Sequence, residues 1–358
     1  MKIKKKSKYR VIGLMSGTSL DGVDLAYVEF SLKKKKWHFS LEASHTFPYP
    51  ADWRKKLLEA PSLRAEELLS LHTTYGLFLG QLCRQFIEQH KIKKTDFIAS
   101  HGHTIFHQPQ HGLTFQLGNG HAIYAETDVP VVYDFRNLDV TLGGEGAPLV
   151  PMGDQLLFSK YDVCLNLGGI ANLSLKKNKK IVAFDISFCN MALNYLASQE
   201  GKEFDENGNR ARSGKINHEL LQQLANAYLP YRQKKPSLAR EHFEKDFLPL
   251  LANSSISIAD RLATVCESVA HEIVLTLPQG KFKLLATGGG ALNSFLIERI
   301  NHQLPEKSKI TLPKKSIIHF KEAIVFALLG VLRVRNENNV LKSVTGSQRD
   351  SCSGSIIG

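Results

Sequence analysis

The sequence predicts an α/β protein with two similar halves, and three observations support this class. Short apolar runs alternate with helical patterns along the 358 residues, as in chains whose helices connect the strands of a sheet. Each half opens with an apolar strand, a turn of small residues and a second apolar strand. A chain of this length is also expected to form about two domains. If the halves face each other, both turns lie at one cleft, a common position for a ligand.

The first half is expected to begin with three strands and a long helix. Its expected strands cover 11–15, 23–30, 37–41, 97–100 and 130–133. Apolar residues at intervals of three and four indicate the helix, namely Leu68, Leu71, Tyr75, Phe78, Leu82 and Phe86. Glycine and proline are frequent in 142–151, which is typical of a crossover between domains or of a loop that lines a cleft.

The second half repeats this opening and continues with strands and helices. Its expected strands cover 163–167, 170–175, 181–184 and 283–286. Its expected helices cover 190–198, 259–273, 292–300 and 319–334. The last ~20 residues show no clear pattern, so we expect them to be loosely structured.

The composition excludes several classes of protein. A content of 43% hydrophobic and 22% charged residues is that of a folded chain, not of a disordered or collagen-like one. No stretch approaches the ~20 apolar residues that cross a bilayer, and no signal peptide is recognised, so we expect a cytosolic protein. The five cysteines are scattered, which argues against a disulfide framework and structural zinc. The net charge of +12 suits an anionic partner such as a nucleotide or nucleic acid.

Two glycine-rich segments are candidate anion sites. In 13–24, glycines and hydroxyl groups follow the first strand, and successive N–H groups in such a turn can surround an anion. A tight hairpin turn explains this segment equally well. In 287–290, one threonine and three glycines stand between a strand and a helix, where unpaired N–H groups favour the approach of a ligand over a plain connection.

Two carboxylates are candidates for acid–base chemistry. Asp185 is expected directly after the strand 181–184, at the sheet edge where α/β proteins bind ligands, and could serve as a general base. An N-cap of the next helix is at least as common for such an aspartate. Glu322 stands near the start of the helix 319–334, where acidic residues usually interact with the helix dipole.

Histidines and lysines cluster without a recognisable metal or nucleic-acid pattern. No nearby carboxylate or cysteine completes a ligand set for the histidines, so a polar cleft wall is the better interpretation. These histidines are His101, His103, His107, His111 and His121. The lysine clusters lack interleaved aromatic residues and are interpreted as solvent-exposed ends of turns and loops, not as a nucleic-acid-binding surface.

A series of short motifs follows in one order along nearly the whole chain. It comprises 13–24, 100–102, 116–119, 134–136 with Asp139, 143–151, 166–172, 184–185, 288–290, 322–323 and 344–346. In sequence and order these motifs resemble those of the anhydro-N-acetylmuramic acid kinases, bacterial enzymes of cell-wall recycling. The number of matches makes the resemblance specific.

The resemblance implies an actin-like (ribonuclease H-like) sugar-kinase fold, with two lobes around an ATP cleft. The first lobe would comprise 1–135 plus about 335–358, and the second 136–334. The residues implied to bind ATP are Gly17, Thr18, Ser19, Leu20, Asp21, Gly22, Val23, Asp24, Gly168, Gly169, Gly288, Gly289 and Gly290. The resemblance makes Arg136 and Asp139 substrate-binding residues and Asp185 the catalytic base. Glu322 would hold the attacking water or the sugar.

The implied reaction couples ring opening to phosphoryl transfer. Water would open 1,6-anhydro-N-acetylmuramic acid while O6 receives the γ-phosphoryl group of ATP, giving N-acetylmuramic acid 6-phosphate. Mg²⁺ would accompany ATP, through ligands that the sequence does not identify. The resemblance also implies a cytoplasmic homodimer with small-molecule substrates and neither a nucleic-acid nor a membrane partner.

The chain departs from the family pattern close to the implied base. The family's Gly-Pro-Gly-Asn-like turn is replaced by 186–190, in which Phe188 and Cys189 could reshape the sugar pocket. His103 stands in the place of a glutamine, and 237–241 reads Ser-Leu-Ala-Arg-Glu. Two alternatives therefore stay open: a kinase of the same fold for another anhydrosugar, and a nucleotide-binding protein without turnover.

Overall fold

A computed structural model describes residues 5–17, 20–177, 180–234 and 237–358. The strands are β1 (Lys8–Ser16), β2 (Gly22–Lys33), β3 (Lys36–Pro48), β4 (Phe97–Gln108), β5 (Leu113–Leu117), β6 (Val131–Tyr133), β7 (Val163–Leu167), β8 (Ile170–Lys177), β9 (Lys180–Phe188), β10 (Lys283–Thr287), β11 (Lys309–Thr311) and β12 (Ser355–Ile357). The helices are α1 (Ala51–Glu59), α2 (Ala65–Gln89), α3 (Gly120–Thr127), α4 (Asn137–Thr141), α5 (Val150–Leu157), α6 (Asn190–Ser198), α7 (Asn209–Arg212), α8 (His218–Lys234), α9 (Arg240–His242), α10 (Leu248–Leu251), α11 (Ile258–Thr276), α12 (Ser294–Gln303), α13 (Lys315–Val334) and α14 (Lys342–Thr345).

The chain folds into two compact units. One comprises Met1–Phe158 and Phe320–Gly358, and the other comprises Ser159–His319. These boundaries differ from the expected ones, because 136–158 and 320–334 belong to the first unit. The physical reason is packing: α5 contacts β3, and the backbone of α13 lies directly against β1.

The first unit is built on a sheet in the order β12-β6-β4-β1-β2-β3, with β5 paired to β4. Strands β1, β2 and β3 form an antiparallel meander, whereas β4 and β6 run parallel to β1. Strand β4 extends beyond the expected end at Ser100, and Gly102 has a left-handed φ of 74° within it. Helix α2 covers the sheet with the side chains that its periodicity predicted, among them Tyr75, Leu82 and Phe86.

The second unit repeats this arrangement in the order β11-β10-β7-β8-β9. Strands β7, β8 and β9 form an antiparallel meander, and β10 and β11 run parallel to β7. Helix α11 packs on the sheet through buried apolar residues, including Leu262, Val269 and Ile273. The duplicated mixed sheet confirms the predicted α/β, actin-like (ribonuclease H-like) fold class.

The carboxyl-terminal segment is ordered, so the expectation of a loosely structured end is wrong. Strand β12 pairs antiparallel with β6, with Ile356 opposite Val132. Upstream, the Asn339 side chain donates hydrogen bonds to the backbone carbonyls of Leu329 and Ser353. Three residues are too few to show a period, and pairing with an existing strand supplies the stabilisation. Among the helices of the described ranges, none is long and apolar enough to cross a membrane.

Gly13 allows α13 to approach the centre of the first sheet. A Cβ at this position would lie 2.0 Å from the carbonyl oxygen of Ala323 and 3.0 Å from the Cβ of Ala327. Gly330 permits a similar approach further along α13, where a Cβ would lie 2.9 Å from the Cβ of Ala99 in β4. At Gly13 the obstructing atoms belong to the backbone and cannot move aside as a side chain can, so this glycine sets the distance between helix and sheet.

We expect Gly13→Ala to destabilise the protein by about 3 kcal/mol or more, because the added methyl group overlaps backbone atoms of α13. The free energy of unfolding, measured in urea, tests this. Gly112→Ala is the control: open space surrounds Gly112, so this change costs only the ~1–2 kcal/mol of a left-handed alanine. Equal losses in the two variants would contradict the proposed close approach.

Candidate functional site

The carboxyl ends of three strands in the second unit meet at one edge of the sheet, because β9 and β10 both run parallel to β7. The turn after β7 is attached there to the start of α6. The Gly168 carbonyl accepts a hydrogen bond from the Asn190 amide at 3.0 Å, and the Gly169 carbonyl accepts one from the Cys189 amide at 2.9 Å. The Asn190 side chain donates to the Leu167 carbonyl at 3.0 Å.

The glycine turn after β10 lies at the same edge. Gly288 has a left-handed φ of 82°, and a Cβ there would lie 2.6 Å from the Asn166 Oδ1. At Gly290 a Cβ would lie 2.9 Å from the Cβ of Leu167. The structure therefore brings together the two glycine turns that the sequence singled out in this unit, and packing explains Gly288 and Gly290.

Gly169 and Gly289 have no such packing role. A Cβ at Gly169 would meet nothing within 4 Å, and one at Gly289 would meet only the Asn190 side-chain nitrogen, at 3.4 Å. Neither residue has a φ in the left-handed region. Folding of this unit does not require glycine at these two positions, which leaves their exposed backbone open to close approach by a ligand.

Asp185 lies inside β9 rather than after its end. A bulge separates the pairs Ala171–Ser187 and Asn172–Asp185, so that Ile186 has no partner. Bulges of this kind redirect side chains. The half-buried carboxylate accepts a hydrogen bond at Oδ2 from the Leu238 amide, at 2.9 Å.

Burial raises the pKa of the Asp185 carboxyl, and the Leu238 amide opposes this by stabilising the charged form. The N-cap position of α6 belongs to Cys189. The alternative explanation of Asp185 as a helix cap is therefore wrong. A partly desolvated carboxylate with a raised pKa is suited to accept a proton.

The substituted turn after Asp185 buries the two side chains that the sequence singled out there, Phe188 and Cys189. Phe188 is 1% exposed and packs against Phe243 and Phe247, with ring centroids 5.3 and 4.9 Å away. Cys189 is completely buried, and burial raises the pKa of its thiol to about 12. Both side chains belong to the hydrophobic core of the second unit, and their effect on a sugar pocket stays a prediction.

In the first unit, the segment implied to bind ATP begins at the end of β1. Thr18 and Ser19 lie outside the described residues. Leu20 has a left-handed φ of 59°, an unfavourable conformation for a branched side chain. The turn enters β2 at Gly22, where a Cβ would lie 2.3 Å from the Phe47 carbonyl oxygen.

The entrance to this turn is held by a buried hydrogen-bond network. The Ser16 hydroxyl lies 2.6 Å from the Tyr49 hydroxyl and 2.8 Å from the His103 Nδ1, and Tyr49 is hydrogen-bonded to Tyr75. Burial lowers the pKa of His103 to about 4, so this residue is neutral near pH 7. His101 and His103 are each 4% exposed and lie in the interior of the first unit, so the prediction of a polar cleft wall is wrong for these two histidines.

Arg136 and Asp139 lie at the start of α4 and share one loop. The Arg136 guanidinium donates to the Gly146 carbonyl at 2.6 Å, and the Gly146 amide donates to Asp139 Oδ2 at 2.8 Å. Asp139 is completely buried and its Oδ1 accepts a hydrogen bond from the Thr345 hydroxyl at 2.8 Å. Both carboxylate oxygens are therefore used within the chain, and they hold the loop 142–148 in place.

Glu322 is the eighth residue of α13, beyond its first turn, because the helix begins at Lys315 rather than at His319. The helix dipole therefore does not explain this carboxylate. Surrounding protein raises the pKa of the Glu322 carboxyl and the Asp24 charge raises it further, whereas Arg136 and Lys321 lower it. The side chain is nevertheless accessible to water, so the desolvation is partial.

Asp24, whose charge raises the pKa of Glu322, accepts a hydrogen bond at Oδ1 from the Thr46 hydroxyl at 2.6 Å. The sequence missed three other participants. Tyr75 belongs to the apolar pattern of α2, which hides its hydroxyl group, Tyr49 lies in the connection between β3 and α1, and the Leu238 donor is a backbone amide. No side-chain motif identifies an amide that lies 53 positions from its acceptor.

The comparisons with known sequences agree with one another. The family model described as anhydro-N-acetylmuramic acid kinase matches residues 9–358. The anhydro-N-acetylmuramic acid kinase of Sulfurovum sp. (strain NBC37-1) is 33% identical over 98% of this chain and 99% of its own. That of Shewanella denitrificans is 35% identical over 96% of each. Among solved structures, an activator of 2-hydroxyisocaproyl-CoA dehydratase from Clostridium difficile covers 91% of this chain and 96% of its own. Its identity of 13% and TM-score of 0.44 are too low for any inference.

We expect Gly169→Ala and Gly288→Ala to differ sharply in stability. The first change adds a methyl group in open space and is expected to alter the free energy of unfolding by less than about 1 kcal/mol. The second combines a left-handed alanine with steric overlap and is expected to cost more than ~2 kcal/mol. Urea unfolding of both variants measures this, and a similar loss in each would contradict the division of the glycines into two roles.

Proposed function

Because this chain belongs to the anhydro-N-acetylmuramic acid kinase family, we propose that it phosphorylates 1,6-anhydro-N-acetylmuramic acid with ATP. Water opens the anhydro ring in the same reaction, and the product is N-acetylmuramic acid 6-phosphate. This activity places the enzyme in cell-wall recycling and amino-sugar metabolism. The observation that supports it most directly is Asp185, a partly desolvated carboxylate on β9 of the same sheet whose carboxyl edge carries the two glycine turns.

We assign the role of general base to Asp185. The water oxygen bonds to the anomeric carbon as the bond from that carbon to O6 breaks, and the water proton passes to Asp185. O6 then bonds to the γ-phosphorus while the bond to the leaving ADP breaks. The Leu238 amide fixes Oδ2, which leaves Oδ1 as the proton acceptor.

Arg136 and Glu322 are assigned to the sugar and its attacking water. Burial lowers the pKa of the Arg136 guanidinium to about 10, against the opposing charge of Glu322, and at that value the side chain still carries a positive charge near pH 7. Asp139 supports Arg136 through the Gly146 loop, since neither of its oxygens is available for direct contact. We therefore revise the role of Asp139 from binding the sugar to positioning the residue that binds it.

ATP is assigned to Gly17–Asp24 of the first unit and to Gly168, Gly169 and Gly288–Gly290 of the second. Backbone N–H groups in such turns bind phosphate oxygens. Mg²⁺ neutralises phosphate charge in phosphoryl transfer and typically takes only one or two carboxylates. Asp21 and Asp24 in the first of these segments fit that requirement, because the ion would take its other oxygens from the phosphates and water. We also propose a cytoplasmic location and a homodimer, as the family resemblance implies.

The activity is tested with purified protein, Mg²⁺, ATP and 1,6-anhydro-N-acetylmuramic acid. Mass spectrometry is expected to show a product heavier by one water and one phosphoryl group, with one ADP released per product. Anhydro-glucose sugars serve as competing acceptors. Faster conversion of one of them would reassign the substrate, and absence of any phosphorylated sugar would support a nucleotide-binding protein without turnover.

We expect Asp185→Asn to lower kcat by about 10²–10⁴-fold, because the amide keeps the shape of the side chain but cannot accept the proton. Asp162→Asn is the matched control. The Asp162 Oδ2 also accepts a backbone amide hydrogen bond, from Lys283 at 2.8 Å, but it lies at the opposite edge of the sheet. Steady-state kinetics of both variants measure the effect, and wild-type turnover in Asp185→Asn would exclude this base.

We expect activity to fall at acid pH with a midpoint above the ~3.9 of an ordinary aspartate. Burial raises the pKa of Asp185, and the base works only when deprotonated, so kcat/KM decreases as pH falls through that raised value. The pH profile of kcat/KM for the sugar measures the midpoint. A titration of the free sugar gives the pKa of the sugar itself, which distinguishes ionisation of the substrate from that of the enzyme. A midpoint at or below the ordinary value would contradict the role of burial.

A further inference from the structure

The buried imidazole of His101 lies between the Arg136 side chain and the protein backbone. Its Nε2 is 3.0 Å from the Arg136 Nε, and its Nδ1 is 2.8 Å from the Gly102 carbonyl oxygen. The ring is only 4% exposed and also packs on Phe326, with 4.5 Å between ring centroids. Both ring nitrogens thus have one defined partner.

These two partners determine which nitrogen carries the proton. A guanidinium has only donors, so Nε2 must accept its hydrogen bond, whereas a carbonyl only accepts, so Nδ1 must donate. His101 is therefore the neutral tautomer with the proton on Nδ1. Burial and the neighbouring Arg136 charge both lower the pKa of His101 well below its usual range, in agreement with this assignment.

The other contact of Arg136 is also with a neutral acceptor, the Gly146 carbonyl. Over the part of the chain that the structure describes, no carboxylate forms an ion pair with this guanidinium. Glu322 acts on it only as a nearby charge. The Arg136 side chain is thus oriented by neutral acceptors, and its positive charge is not neutralised by an ion pair.

We propose that His101 is a positioning residue, whose unprotonated Nε2 orients Arg136 for the anhydrosugar while leaving the guanidinium charge available. The sugar as the ligand of Arg136 rests on the proposed function, whereas the tautomer and the contact do not. A carboxylate at position 101 could hold Arg136 equally firmly, but it would neutralise the charge. An apolar residue could fill the space beside Phe326, but it would leave a buried donor unsatisfied.

His101→Leu and His101→Gln separate orientation from packing. Leucine fills the space without an acceptor, and we expect it to raise KM for the anhydrosugar about ten- to hundredfold, with KM for ATP changed less than about twofold. Glutamine can place its carbonyl oxygen near the position of Nε2, and we expect it to recover most of the loss. Equal KM values in the two variants, or a parallel rise in KM for ATP, would overturn the proposal.

A double-mutant cycle with Arg136→Met tests whether His101 acts through Arg136. In the Arg136→Met background we expect His101→Leu to raise KM for the sugar no further. Additive effects would show a structural role that is independent of Arg136. Thermal unfolding of each variant verifies that the folded protein is being compared.

A second measurement does not depend on activity. The ¹⁵N chemical shifts of the imidazole distinguish the two neutral tautomers and the imidazolium. Because the sequence contains 14 histidines, the signals of His101 are identified as those that disappear in His101→Gln. We expect a protonated Nδ1 and an unprotonated Nε2. Protonation at Nε2 would overturn the proposal even in an active enzyme. The expected tautomer in a protein that fails to phosphorylate the sugar would instead refute the proposed substrate.

Discussion

The parallel pairing of β7 with β10 is the interaction on which the candidate site of the second unit depends. It brings the ends of these strands to one edge, where the turn after β10 packs on Asn166 and Leu167. Strand β9 reaches the same edge through the antiparallel meander, so that Asp185 and the start of α6 are positioned by the same register. The pairing of β1 with β4 has the corresponding effect in the first unit, where it places His103 beside Ser16.

Glycines serve two different purposes in this arrangement. Gly13, Gly22, Gly288 and Gly290 are required by the fold, because a side chain at any of them would overlap neighbouring atoms. Gly169 and Gly289 have ordinary backbone conformations and room for a Cβ, and the proposed ATP site supplies a reason for the lack of a side chain there. A sequence motif alone does not separate these purposes, since Gly288, Gly289 and Gly290 are consecutive and yet differ in this respect.

In the first unit, uncharged hydrogen-bond acceptors hold the charged side chain of Arg136 in place. Arg136 is held by an imidazole nitrogen and a carbonyl oxygen, and the buried Asp139 acts on it only through the Gly146 loop. Direct pairing of Asp139 with Arg136 would cancel the positive charge that an anionic or strongly polar ligand needs. Glu322 raises the pKa of the guanidinium through its charge, but over the described residues it forms no ion pair with Arg136.

The amino-acid sequence by itself determined the fold class, the family and most central elements, because long apolar periods and ordered motifs are local properties of the chain. Strand β7 and helix α6 have the predicted bounds of 163–167 and 190–198. Only the tertiary structure decided the unit boundaries, the pairing of β12 with β6, the burial of Phe188, and the contacts of Asp185 and Arg136. Each of these depends on atoms that are remote in sequence, such as the Leu238 amide, and a local pattern carries no information about them.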